Sequence, residues 1–299
     1  MYKASNGKCY YKVGLHIHTN LSDGAVSPEQ MAKIYRAAGF DAVAITDHWV
    51  YHPQGEIGGL TILSGCEYNI DFDNRDTADG IMHIVGIGMK TKPDLDEKTA
   101  RRQQVIDAIN ACGGMAVLAH PYWSLNTKED VETLHGFSLL EIYNSVSDAH
   151  QSVRPYSGYL VDVLANDGYV LPLIATDDTH YYDGTDDAKS FLMVEAESGS
   201  AEDILSGIRA SRFYASQGPE LYVTQTGEGG RTIRVRCSPC SLISFVTNAS
   251  WSKDRVFRGA NLTSAEYTMQ EYDKWVRVEV KDAEGRFAWS GVVPFFENR

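Results

Sequence analysis

Nowhere does this chain carry an uninterrupted apolar run near the roughly 18 residues a membrane-spanning helix needs, so no membrane role is expected. The opening Met1-Tyr2-Lys3-Ala4-Ser5-Asn6 lacks the apolar core of a secretory signal, and a cytoplasmic location is the expectation. Cysteine is scarce: Cys9, Cys66, Cys112, Cys237 and Cys240 are odd in number and irregularly spaced, which does not suggest a disulfide framework. Only Cys237-Ser-Pro-Cys240 forms a CxxC. Ile233, Val235 and Cys237 alternate there with Arg234 and Arg236, which puts Cys237 on the apolar face of a strand and favours a buried thiol over zinc or redox chemistry. Basic residues are also short, 27 Lys and Arg against 40 Asp and Glu for a net charge of −13. That balance argues against binding duplex nucleic acid, which relies on clustered cations. A small anionic substrate stays compatible, because bound metal cations would dominate the local field. No GxSxG or papain-like signature supplies a protein nucleophile, and neither an internal repeat nor a low-complexity tract is present.

The 43% hydrophobic and 22% charged content is ordinary for a soluble globular protein. At 299 residues the chain has room for one barrel-sized domain and a small appendage. Its organising stretch is Gly14-Leu15-His16-Ile17-His18-Thr19-Asn20-Leu21-Ser22-Asp23-Gly24. Residues 10–18 read as a strand, in which i and i+2 share a face, so His16 and His18 point the same way. Two adjacent imidazoles form a natural chelate for a divalent ion. Asp23 follows in a turn that Gly24 lets bend sharply.

A helix is predicted from Ser27-Pro28-Glu29-Gln30, with Ser27 as N-cap, Pro28 at the first helical position and Gln30 completing a capping box. Met31, Ile34, Tyr35 and Ala38 give its apolar stripe, and the strand 42–46 ends in Asp47-His48, making a β-α-β unit with parallel strands. Further strands are expected at 60–63 (leading into Gly65-Cys66-Glu67), 81–86, 115–119, 139–144, 170–175 and 191–195, with helices at 96–112, 156–166 and 201–209. Polar residues recur at the ends of these strands. In a parallel barrel those ends share one face, where active sites are built, so a barrel-like α/β domain is expected over residues 1–215. From residue 216 short alternating strands replace helices (221–226, 232–237, 242–247, 275–281 and 286–290), which predicts a small C-terminal β-sandwich over 216–299. Trp251, Trp275, Trp289, Phe295 and Phe296 would fill its core, and the tail is expected to shape the pocket mouth or mediate homo-oligomer formation.

Collected, the strand-end residues are His16, His18, Asp23, His48, Glu67, His83, His120, Asp178 and His180. A single strand-end histidine is ordinarily a hydrogen-bonding or surface residue. Six of the nine histidines at one face are not so easily placed, since burying them without partners is costly. Metal coordination resolves that cost. The motifs Leu15-His16-Ile17-His18-Thr19 with Ser22-Asp23-Gly24, Ile45-Thr46-Asp47-His48, Ala119-His120-Pro121 and Asp178-Thr179-His180 resemble the polymerase-and-histidinol-phosphatase (PHP) family, with Glu67 and His83 interleaved in family order. Residues 212–219 and Ala288-Trp289-Ser290 further resemble its CehA/McbA-type metallohydrolase branch.

The resemblance implies a distorted seven-stranded β/α barrel with a cluster of up to three metals; two to three divalent ions are expected, and imidazole and carboxylate ligands suit zinc, manganese or iron. It implies that His16, His18, Glu67 and Asp178 hold one ion, that Glu67 bridges to a second on His83 and His120, and that Asp23, His48 and His180 hold a third. His16, His18, Glu67, His120, Asp178 and His180 would be the catalytic set. Asp178 is preferred over Asp177 because the Asp-x-His spacing puts it on the face of His180, and Asp47 reads as a carboxylate supporting the ligands or capping the strand. A metal-bridging hydroxide, formed as the bound water's pKa falls towards about 7, would hydrolyse a small phosphate ester, either a phosphomonoester or a nucleotide-like diester. A non-phosphate ester or carbamate, or a non-catalytic binding role, are the alternatives. For the substrate, Arg154 is a candidate phosphate clamp weighed against a solvated surface arginine. Asn144, Tyr122 and Trp123 are candidate pocket residues. Of His52, His135 and His150, which have no assigned role, only His52 is plausibly near the pocket.

Overall fold

The computed structural model describes residues 2–3, 7–70 and 80–295. Phe296 lies outside them. The chain divides into two compact units, Met1–Ser157 with Ile174–Phe213, and Gly158–Leu173 with Tyr214–Arg299.

The first unit uses strands β1 (Tyr2–Lys3), β2 (Cys9–Gly14), β3 (Ala42–Ala44), β4 (Gly55–Ile57), β5 (Leu60–Leu63), β6 (Gly65–Ile70), β7 (Met82–Ile87), β8 (Met115–Leu118), β9 (Phe137–Asn144), β10 (Leu173–Thr176) and β11 (Phe191–Glu195). They form two sheets, β11-β2-β3-β5-β4 with β1 on β2, and β10-β9-β8-β7-β6. The β2–β3 and β3–β5 pairs are parallel, whereas β6–β7 and β7–β8 are antiparallel. Neither sheet closes on itself, so the closed seven-stranded barrel is not the observed arrangement. The physical reason lies at the strand ends. Past Gly14 and Ala44 the backbone leaves the regular ladder, and the Thr46 hydroxyl accepts the Ile17 N–H at 2.9 Å in place of a backbone carbonyl. Isolated bridges, Ile17–Thr179, His48–Glu67 and His52–Gly65, then link the two sheets at or beside the ligand-type residues.

The first helix, Pro28–Ala37, starts as its capping box predicts: Ser27 Oγ accepts from the Gln30 N–H and the Gln30 side chain accepts from the Ser27 N–H. Met31, Ala32 and Tyr35 are buried against Ile17, Val43, Ile45 and Leu60. Burial of side chains the size of methionine or tyrosine contributes up to roughly 1.5–3 kcal/mol each, which fixes this helix over the strand that leads to His16 and His18. The second helix begins at Arg102 rather than Asp96. The Asp96 carboxylate accepts the Lys98 N–H at 2.8 Å, a local turn that competes with helix formation.

The second unit contains the helix Gly158–Asn166 and strands β12 (Phe213–Ser216), β13 (Leu221–Thr226), β14 (Thr232–Thr247), β15 (Val256–Thr268), β16 (Trp275–Lys281), β17 (Phe287–Trp289) and β18 (Val293–Pro294). These pair antiparallel in the order β13-β14-β16-β17-β12, with β15 along β14 and β18 along β16, a continuous ladder where two separate sheets are expected from the sequence. The strands expected at 232–237 and 242–247 are one strand, irregular between Arg236 and Leu242. Such bulges bend a strand without ending it. At the irregularity the Cys237 and Cys240 sulfurs lie 3.6 Å apart, Cys240 buried and Cys237 half-buried. Trp275 and Trp289 are buried in the core with Phe245 and Tyr267, but Trp251 is 77% exposed. The helix Gly158–Asn166, expected in the barrel, belongs here: its Asp162 takes a two-pronged contact from the buried Arg277, 2.7 Å from Nε and 3.1 Å from Nη2, and Asn166 accepts the Trp275 Nε1–H at 3.0 Å. Among the described residues no helix is long and apolar enough to cross a membrane.

Candidate metal centre

The nine strand-end residues singled out in the sequence converge. His16 and His18 follow β2, both fully buried, with their Nε2 atoms 3.3 Å apart. Glu67, in the middle of β6, sits beneath five imidazoles. Its Oε2 lies 3.2 Å from His16 Nε2, 3.0 Å from His18 Nε2 and 3.2 Å from His48 Nδ1. Its Oε1 lies 2.9 Å from His83 Nδ1 and 3.3 Å from His120 Nε2. Asp178 Oδ1 approaches the same two Nε2 atoms, 3.2 Å from His16 and 3.1 Å from His18. Asp23 faces the opening, 3.2 Å from His18 Nδ1, 3.5 Å from His48 Nε2 and 3.3 Å from His180 Nε2. Three groups of donor atoms result: His16, His18, Glu67 and Asp178; Glu67, His83 and His120; and His18, Asp23, His48 and His180.

Local backbone geometry sets this arrangement. His120 and Asp178 have positive φ, 27° and 53°, as does Trp49 beside His48 at 58°. Non-glycine residues adopt this region at a cost of order 1–3 kcal/mol, and such outliers gather at functional sites. Because Asp178 leaves the extended conformation, strand alternation is not what pairs it with His180. Asp177, the other candidate, turns into the core, where it accepts from the Tyr35 hydroxyl at 2.8 Å and the Ser190 N–H at 2.7 Å. Burial pushes its carboxyl up to about 7. At Gly24 the need is space, not a left-handed φ: a Cβ there would stand 2.5 Å from the His18 carbonyl oxygen. The Asp47 carboxylate secures the same loop, accepting from the Thr19 N–H at 2.7 Å, the Thr19 hydroxyl at 2.6 Å, the Ser22 hydroxyl at 2.7 Å and His52 Nε2 at 2.7 Å.

The charge balance fits cations. Burial disfavours the imidazolium of His16, yet the adjoining Asp178, Glu67 and Glu141 carboxylates outweigh it and hold its pKa well above the usual histidine value. Burial likewise opposes the Glu67 carboxylate, and the surrounding His16, His48 and His83 rings hold its pKa well below the usual range. His48 goes the other way, lowered to about 4, chiefly by burial. Two buried atoms, Asp178 Oδ1 and His48 Nδ1, have no partner in hydrogen-bonding geometry despite their close neighbours. Buried polar atoms are nearly always satisfied, and donor atoms left unpaired within such a cluster are available to a metal ion. The imidazole and carboxylate donors suit zinc, manganese or iron.

The cluster lines a cleft of about 170 Å³ whose other walls are Trp123 and Gln151. Trp123 packs edge-on against His120, with ring centres 4.9 Å apart. Neither Arg154 nor Asn144 lines it. Asn144 is fully buried beneath the cluster, donating to Glu141 Oε2 at 3.1 Å and Asp178 Oδ2 at 3.2 Å. His135 pairs through its backbone with Gln103. His150 stacks on Tyr181 and forms a fourth donor group with Asp183 and Asp186, but Asp186 is already accepting the N–H groups of His180, Tyr181 and Tyr182. Glu141 and Gln151 were not anticipated from sequence. The available signal for Glu141 was an acid standing alone among the apolar residues of Phe137–Asn144.

Comparison with curated proteins finds no match. Among solved structures, a two-domain protein from Bacteroides vulgatus, described as containing a predicted PHP-like metal-dependent phosphoesterase, superposes with a TM-score of 0.53 at 15% identity over 96% of each chain. The lesion-specific endonuclease PfuEndoQ of Pyrococcus furiosus gives a TM-score of 0.47 at 18% identity, covering 68% of this chain and 56% of that one. A putative metal-dependent phosphoesterase of Bifidobacterium adolescentis gives 0.44 at 16% identity, covering 67% and 96%. The first likeness establishes a common two-domain α/β fold. The PHP domain family model matches residues 14–185, more than half of the chain and a span that holds every member of the cluster from His16 to His180, so the chain belongs to the PHP domain family.

Proposed function

We propose that this protein is a metal-dependent phosphoesterase that hydrolyses a small phosphate ester. The observation that carries the reading is Glu67, one buried carboxylate whose two oxygens face His16, His18 and His48 on one side and His83 and His120 on the other. On this reading His16, His18, Glu67 and Asp178 hold one divalent ion, Glu67 with His83 and His120 a second, and Asp23, His48 and His180 a third. His18 falls in two of the observed donor groups. We assign its Nε2 to the first ion and its Nδ1–H to a hydrogen bond with Asp23. Ions so held would supply positive charge to a phosphoryl group and acidify water towards neutral pH.

The chain's own residues do the rest. Glu67 keeps the donor groups adjacent, and Asp47 with Ser22 and Thr19 fixes the loop that presents Asp23. Trp123 and Gln151, which complete the cleft wall, are placed to meet the substrate. A side-by-side activity screen of the zinc-, manganese- and iron-reconstituted protein tests the reading, using phosphomonoesters, phosphodiesters and carboxyl esters. Turnover of phosphate esters is expected. Turnover confined to carboxyl esters or carbamates would move the protein to that other hydrolase class, and metal content below one equivalent after reconstitution would remove the basis of the proposal.

A further inference from the structure

Beneath the cluster lies a buried carboxylate outside the three candidate ligand groups. Glu141 is 1% exposed and central in β9. Its Oε1 is 2.7 Å from His16 Nδ1. Its Oε2 accepts the backbone N–H of His120 at 2.8 Å and the Asn144 side-chain N–H at 3.1 Å, and Asn144 in turn donates to Asp178. A carboxylate is an acceptor only, so the 2.7 Å contact places a proton on His16 Nδ1. Once a divalent cation takes the place of the second ring proton, Nε2, the atom facing Glu67 and Asp178, is the nitrogen left to ligate it. The same carboxylate ties down the backbone of His120, whose φ of 27° is otherwise unfavourable.

We propose that Glu141 is a positioning residue of the metal centre: it fixes the tautomer and orientation of His16, and it holds His120 in its strained conformation, so that ligands of two ion sites are set by one side chain. The inference rests on the reading of the cluster as a metal centre. It goes further in assigning a role to a residue that touches neither ion nor substrate.

A substitution that keeps shape and removes acceptor capacity separates this role from simple packing. In Glu141→Gln one end of the side chain is an NH2 group. Placed towards His16, it makes Nδ1 an acceptor and moves the ring proton to Nε2, where it blocks the ligand position. Placed the other way, it opposes the His120 and Asn144 N–H donors. Loss of such a supporting partner typically lowers metal affinity 10- to 100-fold. Zinc is the probe, because it is diamagnetic. Zinc affinity is measured by competition with a chromophoric chelator, and the His16 ring protons by nitrogen-15 NMR of histidine-labelled, zinc-loaded protein. The expected results are a His16 resonance protonated at Nδ1 in the wild type, a 10- to 100-fold loss of zinc affinity in Glu141→Gln with unchanged far-UV circular dichroism, and partial recovery in Glu141→Asp. In activity, kcat should fall with little change in KM.

Zinc affinity within twofold of wild type in a folded Glu141→Gln protein overturns the proposal. So does a wild-type His16 lacking the Nδ1 proton, an arm that stands even where the glutamine variant fails to fold. A wild type that binds no zinc at all overturns the metal-centre reading as well, which distinguishes the two failures.

Discussion

Replacing Glu67 by glutamine should damage metal binding far more than replacing Asp23 by asparagine, and the structure indicates by how much. Glu67 is 1% exposed and lies within 3.3 Å of five imidazole nitrogens, so on the proposed assignment its charge acts on two ions in a poorly screened interior. With an effective dielectric constant of about 20, opposite unit charges about 4 Å apart interact by roughly 4 kcal/mol. Even half of that surviving the offset from desolvation corresponds to a loss of about 30-fold in affinity, at about 1.4 kcal/mol per decade. The loss falls on both ions that the carboxylate touches. The side chain of Asp23 is 51% exposed, where the same pair is worth about 1 kcal/mol, roughly fivefold, and only the third ion is affected. Equilibrium dialysis followed by elemental analysis reads both quantities, as stoichiometry at fixed free metal and as the midpoint of a metal titration. Glu67→Gln should drop to one equivalent or less under conditions where Asp23→Asn keeps two. Equal losses, or a greater loss in Asp23→Asn, would refute the placement of Glu67 as the bridge.

His16→Ala should abolish hydrolysis while far-UV circular dichroism stays close to wild type; near-normal turnover would remove His16 from the ligand set. Gly24→Ala must displace the backbone around His18 and Thr19, so kcat/KM is expected to fall at least about tenfold with metal stoichiometry reduced by the third ion, and an unaffected variant would show that the loop relaxes freely. Arg277→Met leaves Asp162 and Glu279 without their buried cation, and a loss of about 2–3 kcal/mol in denaturant unfolding of the whole chain should follow, with no change in bound metal. A chain ending near Gln217 keeps the helix Gly158–Asn166 but loses Trp275 and Arg277, the partners of Asn166 and Asp162, so a lower midpoint in denaturant unfolding is expected; an unchanged midpoint would show that these contacts add nothing to stability.

The site was far more legible in the sequence than the frame around it. His16 and His18 could be read because an i, i+2 pair at a strand end has only one geometry, and the Ser27 cap because its partner Gln30 lies three residues away. These are local rules. Sheet closure is not local: the antiparallel placement of β6, β7 and β8 depends on long-range pairing that apolar strand runs do not encode. β15 carries no strand signal in the sequence, because most of its residues are exposed and the buried-face alternation that marks a strand is missing. The Asp-x-His spacing points to Asp178 through an alternation that its positive φ contradicts; what separates it from Asp177 is the network Asp177 makes with Tyr35, Ser145 and Ser190, which only the assembled core reveals.

The second unit is discontinuous in sequence, its helix Gly158–Asn166 lying between the strand that bears Glu141 and the loop that bears Asp178 and His180. During synthesis that helix emerges well before Trp275 and Arg277, the residues it will contact. Asp162 and Asn166 must therefore wait for those partners while the ribosome completes the rest of the chain. The same arrangement constrains descent. A recombination event that exchanged only the C-terminal strands would leave behind a helix fitted to a vanished partner, so the two units are expected to have been inherited and altered together, and tail and ligand-bearing segment form one evolutionary module despite their separate cores.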